Sequence, residues 1–296
     1  MRVTYAATLL AIAGGSLLGP ACAIAASDPG SPNDQKAVEV AERSMTAMGG
    51  KERFAGARLL RFDFAPVRDG KVTSSYHHWW DRQTGAYRVE GVSKEGVPYR
   101  ILFDVGTKQG KAWLGDRELA GDELARWLER GYGRFINDTY WLLMPWKWLD
   151  PGVNLEYAGK KTVDGQEYDV VTLSFGSGVG LTSNDHYWAY VSTKSNLMER
   201  WEYVLETEEG APGTGAPTPW AWEEWKETQA GVKLATMRRK LVDPPFQITF
   251  PVAELRSDVS EAELATIFHP TEPLPPAAAP AATAAPAPAS APTPTP

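Results

Sequence analysis

The chain has 296 residues, of which 30 are basic and 37 acidic, so its formal net charge is −7. Proteins that bind nucleic acid or an anionic membrane through a basic face need the opposite balance, and the charge argues against both classes. The single cysteine excludes disulfide scaffolds, zinc ribbons and Cys-x-x-Cys redox motifs. The unusual features of the composition are its 12 tryptophans and 23 prolines.

Residues 1–25 contain the three parts of an export signal. Arg2 supplies the positive start, the stretch Ala6–Leu18 carries no charge, and Ala23–Ala25 gives the small-x-small pattern that signal peptidase accepts. The apolar stretch is shorter than the roughly 20 residues that a membrane-spanning helix needs. We therefore expect cleavage near Ala25 and a periplasmic mature protein without a transmembrane span.

Cys22 allows an alternative form of processing, in which this residue carries a lipid anchor. A lipoprotein signal usually has leucine three residues before its cysteine, whereas this chain has Gly19 there, followed by Pro20 and Ala21. Because this context is poor for lipid attachment, the sequence favours the soluble form over the lipid-anchored one.

The C-terminal end has a composition that does not build a core. Residues 270–296 are mostly alanine and proline, and Glu272 is their one charged residue. Proline removes backbone donors and alanine buries little surface, so we expect a disordered, extended tail. With residues 26–32 as a linker, the folded domain is predicted to cover residues 33–269.

One helix and many strands are predicted within this domain. Residues 34–48 form an amphipathic pattern, with Val38, Ala41 and Met45 on one face and Gly49-Gly50 as the stop. The segments that follow favour an antiparallel sheet because they are of similar length and are joined by short turns. The predicted strands are 58–66, 72–81, 86–92, 97–104, 111–115, 153–162, 167–175, 186–193, 197–206, 219–228, 231–240 and 246–253.

A helical insertion interrupts the strands after residue 115. Residues 121–131 have the acidic first turn and the apolar side of a helix, and Tyr132–Asp150 continues with an apolar and aromatic stretch. Pro145 is expected to divide this stretch into a short helix and a kinked loop. Because soluble proteins rarely leave such a surface uncovered, we expect Tyr140–Leu149 to cover the mouth of the sheet, either as a movable lid or as a fixed plug.

Two pairs of strands around tight turns carry a family resemblance. The pairs are Leu155–Gly159 with Tyr168–Leu173 and His186–Val191 with Glu199–Trp201, joined at Asp164-Gly165 and Ser195-Asn196. With one helix before a long antiparallel meander and a helical insertion in its middle, the chain resembles the periplasmic LolA/LolB-like, outer-membrane lipoprotein-sorting superfamily. It is most similar to uncharacterised exported members, and the resemblance covers about residues 33–269.

The resemblance implies a mainly β (α+β) fold, a curved antiparallel half-open β-barrel with an N-terminal helix and a helical insertion covering the mouth. The predicted segments give about 11–12 strands. The resemblance also implies an apolar concavity that binds acyl chains or another apolar ligand, and no catalytic residue. Since the chain is longer than the short lipoprotein carriers and has an Ala/Pro-rich tail, no site residue is transferred from the family.

The sequence contains no recognisable catalytic motif. There is no Gly-x-Ser-x-Gly nucleophile motif, and Ser177 lies in a glycine-rich loop between two predicted strands. A pair of catalytic carboxylates from distant strands would leave no pattern in the sequence. We expect a protein without enzyme activity and without a cofactor.

Histidine is scarce, and its positions disfavour a metal site. His77 and His78 are adjacent on a predicted strand and therefore point to opposite faces of the sheet. A site that joins one of them to His186 and to Asp81 or Asp185 across strands stays open. We expect no bound metal, with these histidines as ordinary residues of aromatic-rich strands.

The tryptophans carry the functional hypothesis. Indoles on strands fill a core, line a ligand cavity, or stack on sugars when they are exposed. A lined cavity favours a non-catalytic exported carrier or receptor that binds a lipid or a lipoprotein acyl chain, with no nucleic acid as partner. Exposed indoles favour the alternative, a carbohydrate-binding or carbohydrate-processing envelope protein. The candidate ligand-binding residues are Tyr140, Trp141, Leu143, Met144, Trp146, Trp188 and Trp201.

Overall fold

A computed structural model gives the fold over residues 34–176, 182–270 and 274. The predicted signal segment 1–25 with Cys22, the linker 26–32, and Ser177 in the glycine-rich loop lie outside these described residues. The predicted tail also lies outside them, apart from residues 270 and 274. Within the described ranges, no helix has the length and the hydropathy that crossing a membrane requires.

The described part of the chain forms one sheet of 15 strands. Side chains alternate between the two faces of each strand, and most of the helices cover one of these faces. The strands are β1 (Leu59–Arg68), β2 (Lys71–Val72), β3 (Tyr76–Asp81), β4 (Ala86–Val92), β5 (Pro98–Asp104), β6 (Gly110–Leu114), β7 (Arg117–Glu118), β8 (Val153–Val163), β9 (Gln166–Phe175), β10 (His186–Ser192), β11 (Met198–Val204), β12 (Thr218–Glu227), β13 (Lys233–Lys240), β14 (Gln247–Thr249) and β15 (Ala253–Arg256).

The strands pair antiparallel, and most neighbours in the sheet are also neighbours in sequence. The order is β7-β6-β5-β4-β3-β1-β14-β13-β12-β11-β10-β9-β8, so β7 and β8 are the edges of an open sheet. β1 lies in the middle, where it pairs with β3 on one side and with β14 and β15 on the other. The predicted half-open antiparallel architecture is confirmed.

The described sheet has 15 strands where the sequence indicates about 11–12. β2 and β7 have two residues each, which is too few to show an alternating pattern. The predicted strand 246–253 is divided into β14 and β15, which pair with different parts of β1. A partner strand defines each of these short elements, and local sequence does not reveal that partner.

In the described ranges, four α-helices and one 3₁₀ helix accompany the sheet. They are α1 (Gln35–Ala47), α2 (Lys51–Gly56), α3 (Gly121–Leu143), the 3₁₀ helix (Met144–Lys147) and α4 (Glu261–Phe268). α1 begins as predicted, because the Asp34 carboxylate accepts the backbone N–H of Lys36 at 2.8 Å. The same carboxylate accepts the N–H of Tyr157 at 3.1 Å, which ties the start of α1 to β8.

The helical insertion contains one helix of 23 residues, whereas the sequence predicts a helix over 121–131 and a separate short helix before Pro145. α3 continues past Gly131 because the missing side chain lets it lie close to β5. A Cβ atom at Gly131 would lie 3.0 Å from Cγ2 of Ile101 and 3.2 Å from Cε1 of Phe103. This contact outweighs the low helix propensity of glycine. Pro145 does end the α-helix, and the 3₁₀ helix follows.

The helices cover the concave face of the sheet in two regions. The first half of α3 packs on an apolar group from β4, β5 and β6 that includes Tyr87, Ile101 and Phe103. α1, the end of α3 and the 3₁₀ helix pack on a larger group from β1 and from β8–β14. α4 lies on the opposite, outer face, where Nη1 of Arg88 donates to the carbonyl of Ile267 at 2.7 Å.

Candidate functional site

A group of aromatic residues meets where the end of α3 crosses the concave face of β9–β12. Their rings touch one another with centroid separations from 4.7 to 6.4 Å. We call this group the aromatic cluster. It consists of Tyr140, Trp141, Phe175, Tyr187, Trp201, Tyr203, Trp220 and Trp222.

Strand register places the tryptophans of the aromatic cluster on one face. Trp201 on β11 pairs with Ala189 on β10 and with Trp220 on β12. Directly paired residues of neighbouring strands share a face of the sheet. Trp222 follows Trp220 by two residues and therefore points the same way. The sequence places these indoles on strands, and the pairing brings them together.

α3 inserts Tyr140 and Trp141 into this wall. The Trp141 ring centroid lies 4.9 Å from that of Trp220 and 5.4 Å from that of Trp201. The Trp141 ring is also nearly parallel to that of Trp222, with 15° between their planes. Side chains of the helix therefore fill the concavity at this level.

The end of α3 and the residues that follow it continue this filling, and we call Tyr140–Leu149 the cover segment. Leu143, Met144 and Trp146 are buried, with exposed fractions of 2%, 0% and 5%. The Trp146 ring stacks on Phe54 of α2 with 4.5 Å between centroids. Nε1 of Trp148 donates to Sδ of Met144 at 2.7 Å, which braces the 3₁₀ helix internally.

Six of the predicted ligand-binding residues lie together on the concave side. They are Tyr140, Trp141, Leu143, Met144, Trp146 and Trp201. Trp188 does not join them, because Tyr187 and Ala189 on either side of it face the interior. Trp188 points to the outer face and is half-buried there. The ligand-binding role of all seven residues stays a prediction.

Arg238 is a charged residue of this site that the sequence analysis did not identify. It pairs with Trp222 across β12 and β13, and its guanidinium carbon lies 3.3 Å from the centroid of that indole. Nε and Nη2 donate to the carbonyl of Trp141 at 3.1 and 2.8 Å. Nη1 donates to the carbonyl of Met237 at 3.0 Å. The side chain is fully buried, and this burial lowers the pKa of Arg238.

A second buried polar group lies under the middle of α3. Nδ1 of His78 is 2.8 Å from the hydroxyl of Tyr87, and Nε2 is 3.2 Å from the carboxylate of Asp138. Burial lowers the pKa of His78, while the Asp138 carboxylate acts in the opposite direction. The imidazole is therefore neutral at pH 7. All three side chains are enclosed, so this group is a hydrogen-bonded part of the core.

The predicted opposition of the two adjacent histidines is confirmed. His77 lies on the outer face, where its Nδ1 is 2.6 Å from the carboxylate of Asp63. Asp81, considered above as a metal ligand, is paired with the guanidinium of Arg58 at 3.2 Å. Among the described residues, no three side chains of the metal-binding types come together.

The carbohydrate hypothesis needs exposed indoles, and none of the tryptophans in the described ranges is fully exposed. All tryptophans lie in the described ranges, and each of them is buried or half-buried. Trp79 on the outer face lies between two cations, with 4.3 Å to the guanidinium of Arg61 and 4.5 Å to that of Arg88. These contacts occupy the ring of Trp79, so this indole does not favour the alternative function.

One known sequence family is similar to part of the chain. A family model described as "Family of unknown function (DUF6503)" matches residues 122–216, which include α3 and several strands of the second half. None of the curated proteins matches the sequence.

Solved structures with a similar chain path include LolA-type proteins. A DUF1329 family protein from Desulfovibrio piger has 13% identity and a TM-score of 0.44, covering 82% of this chain and 98% of its own. A LolA superfamily protein from Nitrosomonas europaea has 10% identity and a TM-score of 0.43, with 76% and 96% covered. An outer membrane lipoprotein-sorting protein domain from Vibrio parahaemolyticus has 8% identity and a TM-score of 0.42, with 79% and 97% covered. At such identities the likeness concerns the fold alone.

Proposed function

We propose that this protein is a non-catalytic exported carrier or receptor for an apolar ligand, either a lipid or the acyl chain of a lipoprotein. The hydrocarbon part binds on the concave face at the aromatic cluster, in the space that the cover segment fills. The apolar and aromatic nature of this wall supports a hydrocarbon ligand.

The attachment of the cover segment is the observation that carries the proposal. Among the described residues, its hydrogen bonds to the sheet are those that Arg238 donates to the carbonyl of Trp141. The backbone bonds of the adjoining turn stay local, as from the N–H of Asp150 to the carbonyl of Lys147 at 3.1 Å. A segment held mainly by side-chain packing leaves the wall without breaking a strand pair.

Exposing the aromatic wall to water is costly, so the cover segment is expected to leave only when a ligand takes its place. A buried aromatic side chain covers roughly 150–250 Å², and at about 25 cal/mol per Å² each uncovered ring costs about 4–6 kcal/mol. That cost is comparable to the whole stability of a typical domain, about 5–15 kcal/mol. The segment therefore stays closed until a hydrocarbon chain replaces Trp141 against Trp201 and Trp220.

Quenching of tryptophan fluorescence by a brominated long-chain alcohol tests this location, because bromine quenches an indole only on contact. Two variants on neighbouring strands form a matched pair, Trp201→Phe on the concave face and Trp188→Phe on the outer face. Removing Trp201 should reduce the quenched part of the emission. Removing Trp188 should leave the quenched part unchanged and lower only the unquenched background. Circular dichroism checks that both variants are folded.

Two results would contradict the proposal. The first is a wild-type protein that shows no saturable quenching by the brominated alcohol. The second is quenching that disappears in Trp188→Phe and persists in Trp201→Phe, since the ligand would then lie on the outer face. Mass spectrometry of the natively purified protein identifies the lipid that co-purifies with it.

We also propose that the chain is exported to the periplasm and cleaved near Ala25, with an envelope lipoprotein as partner if the ligand is a protein-linked acyl chain. The composition of residues 1–25 supports this location. The intact mass of the exported protein is the measurement. A mass that corresponds to diacylated Cys22 as the first residue would replace the soluble form by the lipid-anchored one.

A further inference from the structure

Arg238 is a cation enclosed in an apolar site, and no acidic side chain of the described residues pairs with it. Its side chain has an exposed fraction of 0%, and neutral backbone carbonyls accept its hydrogen bonds. Burial alone accounts for the lowered pKa of Arg238, and no carboxylate in the part of the chain that the structure describes acts to raise it. A guanidinium stays protonated in proteins, so this burial without an anion is costly.

Within the described ranges, the guanidinium and two nearby indoles have N–H donors without an acceptor. An arginine side chain has five N–H groups, and Nε, Nη1 and Nη2 of Arg238 each make a hydrogen bond through one of them. One N–H on each terminal nitrogen is left. The indole N–H groups of Trp201 and Trp222 are buried and have no acceptor among the described residues. The centroids of their rings lie 5.5 Å apart, so both indoles belong to the same part of the wall.

Two further cations lie on the same face toward the end of the sheet. Lys240 follows Arg238 by two residues and pairs with Trp220. The guanidinium of Arg68 lies 5.0 Å from the ring of Phe246, and that ring is 5.8 Å from the indole of Trp220. The positions run from exposed Arg68 through half-buried Lys240 to buried Arg238. Such a row of positive charge attracts an anion toward the buried site.

We propose that Arg238 binds the carboxylate of a long-chain fatty acid whose hydrocarbon chain lies against the aromatic cluster. This inference rests on the proposed function, because it assigns the head group of the ligand that binds there. A carboxylate is planar and accepts two parallel N–H groups of a guanidinium. Trp222 stacks on the guanidinium and fixes its plane, so the fork is already oriented. The adjacent indole N–H groups supply further donors.

Two ligands with the same hydrocarbon chain and different head groups measure the contribution of the carboxylate to the affinity. Dodecanoate and dodecan-1-ol are titrated into the full-length protein at pH 8. The affinity of each is measured from its displacement of an apolar fluorescent probe. A hydrogen bond to a charged group contributes enough for about a 10- to 100-fold tighter binding of dodecanoate. The alcohol should bind as well, because the aromatic wall holds the chain in both cases.

Two arginines on opposite faces of β13 provide the variant and its control. Arg238→Met should abolish the preference for dodecanoate and retain the binding of dodecan-1-ol. Arg239→Met should retain the preference, because Arg239 is exposed on the other face and pairs with Glu223 at 2.6 Å. If Arg238→Met does not fold, Arg238→Lys keeps the charge without the planar fork, and it should show a smaller preference than the wild type.

Failure of the carboxylate site and failure of the proposed function give different results in this experiment. Equal affinities of the wild type for dodecanoate and dodecan-1-ol would overturn the carboxylate site and leave the proposed function standing. An undiminished preference in a folded Arg238→Met or Arg238→Lys variant would also overturn it. Absence of binding for both ligands would overturn the proposed function itself.

Discussion

Replacing Gly131 by alanine tests whether close contact between α3 and β5 sets the course of this helix. At an open helical position the change stabilises a protein by up to about 1 kcal/mol, because alanine has the higher helix propensity. At Gly131 the new Cβ would lie 3.0 Å from Cγ2 of Ile101 and 3.2 Å from its Cδ1. Overpacking of this kind typically costs about 1–3 kcal/mol. We therefore expect a net loss of about 0–3 kcal/mol.

Gly56→Ala is the matched control for this change. Gly56 ends α2, and a Cβ atom there meets nothing within 4 Å. Thermal unfolding followed by circular dichroism compares both variants with the wild type. For a domain of this size, 1 kcal/mol shifts the midpoint by about 2–4 °C. Gly56→Ala should raise the midpoint and Gly131→Ala should lower it. An equal rise in both would refute the reasoning, because Ile101 would then yield to the added atom without cost.

Three further predictions concern single side chains. Lowering the pH from 7.5 to 5.5 should reduce the free energy of unfolding through His78, whose folded pKa lies below its ordinary value of 6.5. The unfolded chain then takes up the proton first, so the stability present above pH 6.5 is lost as the pH falls below it. Urea unfolding of His78→Gln should show a weaker dependence, and an undiminished one would contradict this assignment. Asp34→Ala should cost about 0.5–2 kcal/mol through loss of the helix cap, whereas Asp34→Asn, which still accepts the Lys36 N–H, should retain most of the stability in the same assay. Met144→Ala should cost about 2–5 kcal/mol because the side chain is fully buried, and a loss below about 1 kcal/mol would show that the cover segment is loosely packed.

The sequence predicts those elements whose causes are local. Asp164 and Asn196 have positive φ angles of 50° and 57°, as expected for the tight hairpin turns at these residue types. α1 is found from its apolar stripe and from the glycines that follow it. Each of these features depends on residues that are close together in the chain, so a single sequence contains the necessary information.

Contacts between distant residues explain what the sequence does not reveal. The carbonyl that Arg238 binds belongs to Trp141, 97 positions earlier, and no local pattern links the two. Alternation along a strand tells which residues share a face, but it does not tell which face the helices cover. For this reason Trp188 and Trp201 look equivalent in the sequence, and only the packed helices place Trp188 outside and Trp201 inside.

α3 joins the two free edges of the sheet, since the chain leaves β7 into this helix and enters β8 after it. A helix of 23 residues is roughly 35 Å long at 1.5 Å per residue. The strand order from β7 to β8, at about 4.8 Å per step, measures roughly 58 Å along the curve. This ratio is close to that of a diameter to its semicircle. The 3₁₀ helix and residues 148–152 complete the connection to β8. Because a helix keeps its length, we expect α3 to limit how far the two edges can separate. Ligand entry is therefore expected to rearrange the last turns of α3 rather than to widen the sheet.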